Sequence, residues 1–396
     1  MRVLCLDIEG GYGGSSRSLY ESIRHVGDKA SVEVWCRKDG PVRQRYEAIG
    51  VPCRVTPEMP HISSLPRFSR NLYIYSRFAL GWPSSAAFRD ELAKAVAERF
   101  DVVHFNHEGL FLLLGSLRSR LGPGRAMTMH VRTYLPSTVF SRWQYRTIAR
   151  NADRLVYITE NERDRVSALA GRDVPGAVIY NIVSTPEKPV VPDRSLAADK
   201  RFKVAVLSNY AWIRGVDRVV DVACALRRQR RSDVLFVMAG DMALPKSLPG
   251  ALGETARQGG SLEDHARDRG VAYMFRFLGH VPEPESVLAA CDVLAKPTRE
   301  YNPWGRDILE AMALGKPPLS VGAYDRFIEH GETGLLTAEF DAVEWAREIA
   351  RLADDRGRRA AMGKSAVKRV ANLCDGPDRA RDLVGLWRSA LDEVRA

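Results

Sequence analysis

The chain has 396 residues, more than one compact core holds and enough for two domains. With 45% hydrophobic and 27% charged residues it has ordinary globular composition, which excludes a disordered chain, and no apolar run reaches transmembrane length. The net charge is +10, and residues 1–198 hold 28 Lys+Arg against 20 Asp+Glu, so the first half carries most of the basic excess. Such a bias suits acidic ligands, anionic lipid or nucleic acid, with general solubility charge as the default reading.

Residues 3–8 are expected to form a strand, followed by Gly10-Gly11-Tyr12-Gly13-Gly14 and a helix start at Ser15-Ser16. This is not the dinucleotide fingerprint. Ser16 takes the place of the third glycine, and the next strand, 32–36, ends in Arg37-Lys38 rather than an acidic residue. Backbone access to a ligand and a simple tight turn are both open for the glycine run. The N-terminus, with Asp7 and Glu9 close behind a short apolar run, is too short and too acidic for a signal peptide. A helix over 41–49 and a strand over 52–55 follow, and then irregular chain over 56–84. Within it, residues 67–78 interleave aromatics with arginines. They could meet a lipid headgroup or an acceptor. The preferred reading is an amphipathic helix with Phe68, Leu72, Tyr75 and Phe78 inward.

Helices over 84–100 and 109–120 flank a strand at 101–105, and another strand spans 126–131. Open parallel sheets bind ligands at the carboxyl ends of their strands, so His104, His107, His130 and Arg132 would gather there with the glycine loop if the strands are parallel. A metal site and a Gly-x-Ser-x-Gly nucleophile elbow are not expected. A strand at 155–158, a helix at 160–169 and a short strand at 178–180 complete the first half. Six cysteines, Cys5, Cys36, Cys53, Cys224, Cys291 and Cys374, lack C-x-x-C spacing and are expected to be reduced core residues of a cytosolic protein.

The second half repeats the rhythm. Strands are expected at 202–207, 234–239, 273–278, 292–295 and 318–321, with helices at 216–227, from about 261, and at 285–290. Residues 327–336 read as a short helix, a turn and a strand, and the remainder as helix with a break near 374–377. Alternation in both halves argues for two doubly wound α/β domains, over 1–185 and 201–375. A linker at 186–200 is rich in Pro and charge, and a last helix at 376–396 could pack back on the first domain.

The stretch 296–315 draws the second half together. A strand delivers a loop, and the loop opens into a helix over 306–314 stopped by Gly315, with Asn302 expected as N-cap and Pro303 as first helical residue. Free amides at that end suit an anion. Glu310 stands in an apolar run. It is either a buried carboxylate that holds hydroxyl donors such as those of a ribose, or the partner of Arg306 four residues earlier.

Glu310 followed by Ala311-Met312-Ala313-Leu314-Gly315, the run Gly331 to Leu336 and the preceding Glu329 resemble the nucleotide-sugar domain of glycosyltransferase family 4. The resemblance covers most of the chain and is strongest from about 203 to 340. It implies a GT-B fold, two Rossmann-like domains facing a central cleft, and retaining transfer of a sugar from a nucleoside diphosphate, UDP or GDP, to a hydroxyl of a glycan, lipid-linked or small-molecule acceptor. By resemblance, Glu310 holds the ribose, Asn302 with Pro303, Trp304 and Gly305 holds the donor sugar, and Arg214 with Asn209 holds the diphosphate beneath Gly13 and Gly14. His130 lies near the reacting carbon, and Arg306 could supply a further cation. The sequence departs from the family pattern at Asn302, where a carboxylate is usual, and at Asn209, where an arginine is usual. The amide at 302 is expected to shift donor preference. No Asp-x-Asp pair occurs, Asp7-Ile8-Glu9 being the nearest, so no cofactor and no metal are expected. An epimerase of the same fold and a non-catalytic nucleotide-sugar-binding subunit are the alternatives, while the diffuse charge argues against nucleic acid. The expected location is cytoplasmic, with peripheral contact at an anionic inner membrane surface left open by the basic first half.

Overall fold

The computed structural model describes residues 1–62, 71–122, 124–183, 186, 189–300 and 302–396, without the side chains of 71–75. The chain forms two compact units, one made of Met1–Ile182 with Cys374–Ala396 and the other of Val183–Leu373. In the first unit seven strands lie in one sheet: β1 (Arg2–Asp7), β2 (Ser31–Cys36), β3 (Cys53–Val55), β4 (Val102–Phe105), β5 (Ala126–Val131), β6 (Arg154–Tyr157) and β7 (Gly176–Val178). Their order is β3-β2-β1-β4-β5-β6-β7 and every pairing is parallel. The apolar runs explain this, because strands covered by helices on both faces cannot alternate with polar residues. Leu6 stands opposite Trp35 on one side and Phe105 on the other, all three buried.

In the second unit β8 (Phe202–Leu207), β9 (Val234–Ala239), β10 (Phe275–Gly279), β11 (Val293–Lys296), β12 (Pro318–Val321) and β13 (Leu335–Thr337) pair in parallel in the order β10-β9-β8-β11-β12-β13. In each sheet the strand order reverses once, between β1 and β4 and between β8 and β11. Such switch points open a crevice at the carboxyl ends of the two strands.

The helix Gly376–Arg395 belongs to the first unit. Asp375 caps it by accepting from the Asp378 amide at 2.9 Å. Its Leu383, Val384 and Trp387 enter the same buried cluster as Val3, Cys5 and Val102. The Trp387 indole donates to His104 Nδ1 at 3.3 Å, which gives a fully buried N–H its acceptor.

Some expectations need correction. The amphipathic helix preferred within 67–78 is present over the described part of that stretch, in the helix Asn71–Ser84, which runs on through 79–84, where irregular chain was expected. Phe78 is half-buried against the core, while Phe68 and the side chains of Leu72 and Tyr75 lie outside the described residues. The helix Val139–Asn151 was not anticipated. Thr138 and Ser141 cap it reciprocally, with the Ser141 amide donating to Thr138 Oγ1 at 3.1 Å and the Thr138 amide to Ser141 Oγ at 2.9 Å. Residues 327–336 hold no helix. The Thr333 hydroxyl donates to the Phe327 carbonyl (3.0 Å) and accepts from the Glu329 amide (2.8 Å), which diverts these groups into a turn. All six cysteines are free. Among the described residues no helix is long and apolar enough to cross a membrane.

Truncating the final helix's anchor should expose its contribution. Trp387→Ala is expected to cost about 3–5 kcal/mol, as for other large-to-small changes in a core. Urea unfolding followed by circular dichroism would read this as an earlier transition of the first unit.

Candidate functional site

Strand β11 of the second unit leads into the loop 297–305, and the helix Arg306–Ala313 follows. The N-cap is Gly305, extended at φ −68° and ψ 161° with no side-chain cap, not Asn302. The helix starts late because Trp304 is buried edge-on against Tyr324, ring centroids 5.2 Å apart, which holds Pro303 and Trp304 outside the helical path. Asn302 spends its side chain inside the loop instead. The Thr298 hydroxyl donates to Asn302 Oδ1 at 2.9 Å, and Asn302 Nδ2 donates to Glu300 Oε2 at 3.1 Å. The Glu300 amide donates to Thr298 Oγ1 at 3.0 Å. Glu300 is half-buried, and burial pushes its carboxyl above the usual carboxylate range against the opposing pull of Lys296, Arg214 and the Asn302 bond.

Arg299 pins this loop onto the turn that follows β8. Its amide donates to the Ile213 carbonyl at 2.8 Å. Its guanidinium donates to the Trp212 carbonyl at 2.7 Å and to both Asp217 oxygens at 2.8 and 2.5 Å, and lies 3.7 Å from the centre of the Trp212 ring. Gly215 completes the fit. Its φ is +68°, and a Cβ there would stand 2.0 Å from the Pro297 carbonyl oxygen, so no side chain is tolerated. The turn presents Arg214, exposed, with Nη1 donating to Ser208 Oγ at 2.7 Å. Asn209 accepts the Asp241 amide at 2.9 Å and thereby ties the ends of β8 and β9 together.

Glu310 is buried and paired with Arg306, whose Nε stands 3.1 Å and Nη2 3.0 Å from Oε1. The local pairing that the four-residue spacing allowed is therefore present, and the Arg306 charge is already met by a carboxylate. Lys296 pairs with Asp307 at 3.0 Å directly under Gly305, where a Cβ would stand 2.0 Å from Lys296 Nζ.

The first unit gathers its own polar group at the ends of β1, β4 and β5. Asn106 Nδ2 donates to Asp7 Oδ1 at 3.0 Å and to the Ser15 carbonyl at 3.2 Å. Arg132 donates to the Asn106 carbonyl and side-chain oxygen at 2.9 and 3.1 Å through Nε, and its amide donates to Glu108 Oε2 at 3.1 Å. Its Nη2 donates to His130 Nδ1 at 3.1 Å. A guanidinium only donates, so His130 Nδ1 accepts and the ring proton sits on Nε2. The same reasoning puts the His104 proton on Nε2, because Trp387 only donates. Both rings are held neutral. Burial, and after it the Arg132 charge, lowers His104 to about 3 and pushes His130 well below its ordinary value. His104 and His130 meet edge to face at 5.7 Å. His107 Nδ1 accepts the Gly109 amide at 2.9 Å. Burial likewise raises the Asp7 carboxyl. Glu9 points away to Lys38 at 2.7 Å, so Asp7 and Glu9 do not form a pair. Gly13 is extended and Gly14 has φ +47°, with open space where either Cβ would lie. Among the described residues no three His, Cys, Asp or Glu side chains are placed to hold a metal ion.

Each sequence-derived candidate thus falls into one of two groups. Asn209, Arg214, Asn302, Pro303, Trp304, Gly305, Arg306 and Glu310 lie at the β8–β11 switch point, and Gly13, Gly14 and His130 at the β1–β4 end. Sequence reasoning anticipated Arg132 beside His130 but missed Thr298, Glu300, the Arg299–Asp217 pair and the Asp7–Asn106 pair to which Arg132 is joined. The last carried a signal, in that polar residues follow β1, β4 and β5 in turn.

The family "Glycosyl transferases group 1" matches residues 188–369, and "Glycosyl transferase 4-like domain" matches residues 10–181. The chain belongs to the family 4 glycosyltransferases, and its fold is of the GT-B type. It is 25% identical over 374 residues to the alpha-D-kanosaminyltransferase of Streptomyces kanamyceticus, an alignment that covers 89% of this chain and 91% of that one. A D-inositol 3-phosphate glycosyltransferase of Corynebacterium diphtheriae is 39% identical over 112 residues, 27% of this chain and 26% of the relative. Among solved structures, Anabaena HepE in complex with UDP-glucose superposes with a TM-score of 0.75 at 21% identity, over 98% of this chain and all of that one. Sucrose-phosphate synthase from Thermosynechococcus elongatus does so with a TM-score of 0.74 at 17% identity, over 99% of this chain and all of that one. These two are likenesses of fold.

Two measurements test the geometry. Arg299→Met leaves the Asp217 carboxylate buried without its cation and is expected to destabilise the second unit by about 3–5 kcal/mol, read by urea unfolding. Nitrogen-15 NMR of the imidazoles should show His130 neutral and protonated on Nε2 from pH 8 down to pH 5, and Arg132→Met should release that tautomer. An unfolded chain protonates these rings near pH 6.5 while the folded one does not, so their contribution to stability falls as the pH drops below about 6.5.

Proposed function

We propose that this enzyme is a retaining glycosyltransferase that takes a sugar from a UDP- or GDP-sugar and places it on an acceptor hydroxyl without a metal ion. The observation that carries the reading is the joining of two loops in the second unit. Arg299 and Gly215 hold the Arg214 turn against the loop that ends at the helix Arg306–Ala313, whose N-cap Gly305 has no side chain to cap it. A fixed cation and a helix N-terminus on neighbouring loops suit a diphosphate, whose charge grows as the sugar departs. The UDP-glucose complex of HepE, a protein of the same fold, supports a nucleotide-sugar donor.

In the reaction the acceptor oxygen bonds to the anomeric carbon as the bond from that carbon to the leaving phosphate oxygen breaks. The acceptor proton passes to the leaving phosphate, and attack on the same face retains configuration. Arg214 and the amides that begin the helix stabilise the phosphate charge. Glu310, steadied by Arg306, offers its carboxylate to the ribose hydroxyls. The open backbone at Gly13 and Gly14 suits close approach by phosphate oxygens. His130, neutral with its proton on Nε2, serves as a hydrogen-bond donor rather than a base.

Arg214→Ala and Glu310→Gln are expected to lower sugar transfer, or donor hydrolysis without acceptor, by about a hundredfold, in line with the loss of one transition-state donor or one substrate anchor. A thermal-shift screen against UDP, GDP, dTDP and ADP identifies the base first. Wild-type rates in both variants would sink the assignment.

A further inference from the structure

Family resemblance places a carboxylate at position 302, where this chain has Asn302. The loop 297–305 nevertheless contains one acidic residue, Glu300, two positions earlier. The hydrogen bonds fix how the two side chains divide their work. Asn302 Oδ1 is taken by the Thr298 hydroxyl, and Nδ2 is taken by Glu300 Oε2, so the amide is engaged at both ends inside the loop. A carboxylate accepts about four hydrogen bonds, and Asn302 supplies one to Glu300. The Glu300 amide is itself held by Thr298 Oγ1, so the residue is anchored at backbone and side chain. Both nearby cations have other partners: Lys296 pairs with Asp307, and Arg214 donates to Ser208. The loop thus keeps an oriented carboxylate with acceptor capacity in hand, beside the turn that presents Arg214.

On the strength of the functional reading above, we propose that Glu300 is the residue that binds the donor sugar in this enzyme, its carboxylate accepting hydrogen bonds from sugar hydroxyls while Asn302 holds it in place. The carboxylate has moved two positions along the loop, and Asn302 has become its positioning residue. Glu300 acts on the sugar. Arg214 and the helix start act on the diphosphate. The two contributions are therefore separable by ligand.

The test compares binding of UDP, dTDP, GDP and ADP with binding of the corresponding glucose diphosphonucleosides by titration calorimetry, using the full chain. Wild type should bind one sugar nucleotide more tightly than its diphosphate. Glu300→Gln keeps the side chain's shape and removes its charge. It should weaken that sugar nucleotide about tenfold and leave the diphosphate within twofold, the diphosphate arm showing that the site remains folded. Asn302→Ala should weaken the sugar nucleotide in the same selective way, because it frees Glu300 from its anchor. If Glu300→Gln leaves both affinities unchanged, or lowers both equally, the assignment of Glu300 to the sugar is overturned while the glycosyltransferase reading stands. If wild type binds none of the eight ligands, the functional reading itself fails, and this inference with it.

Discussion

A single half-buried cation organises the second unit. The Arg299 guanidinium cannot leave water without acceptors and a counter-charge. It finds them in the Trp212 carbonyl, the Trp212 ring face and both oxygens of Asp217. All of these belong to the segment after β8, while Arg299 itself follows β11. The two loops at the switch point are thereby locked into one object. The contact between Gly215 and Pro297 depends on that lock, and so does the position of Arg214 relative to the helix start.

The first unit solves a similar problem with a longer chain of neutral and charged groups. Asp7, Asn106, Arg132 and His130 are joined by successive hydrogen bonds across three neighbouring strands. The chain meets only part of their cost of burial, since among the described residues Asp7 Oδ2 and His130 Nε2 are buried without a partner, and its last member keeps its proton on the nitrogen that faces away from Arg132. In both units, polar side chains collect where strand order reverses, because there the apolar strands end and helices do not yet cover the sheet.

Much of this was legible in the sequence. The apolar strand runs showed which segments would be buried, and their spacing with helices implied parallel sheets, so the grouping of His104, His130 and Arg132 followed. The failures have local causes. The capping box of helix Val139–Asn151 uses Ser141 where Glu or Gln is the usual signal. Asn302 is a good N-cap in isolation, but burial of Trp304 outweighs that preference. Glu310 admitted two readings, and its pairing with Arg306 is the one fixed by helical periodicity. The Arg299–Asp217 pair joins residues 82 positions apart, and nothing in either local pattern announces the other. Glu300 was passed over because the family pattern directs attention to position 302.

The helix Gly376–Arg395 imposes an order on biosynthesis. The second unit is contiguous from Val183 to Leu373 and is complete as soon as it has left the ribosome. The first unit begins earlier but finishes later, since Leu383, Val384 and Trp387 close a core that starts at Val3. At usual elongation speeds of about 5–20 residues per second, the intervening stretch takes on the order of ten to forty seconds to make. Throughout that interval the nascent first unit carries an uncovered apolar face. Of the two units, the one begun earlier is therefore the one that waits longer for its cover.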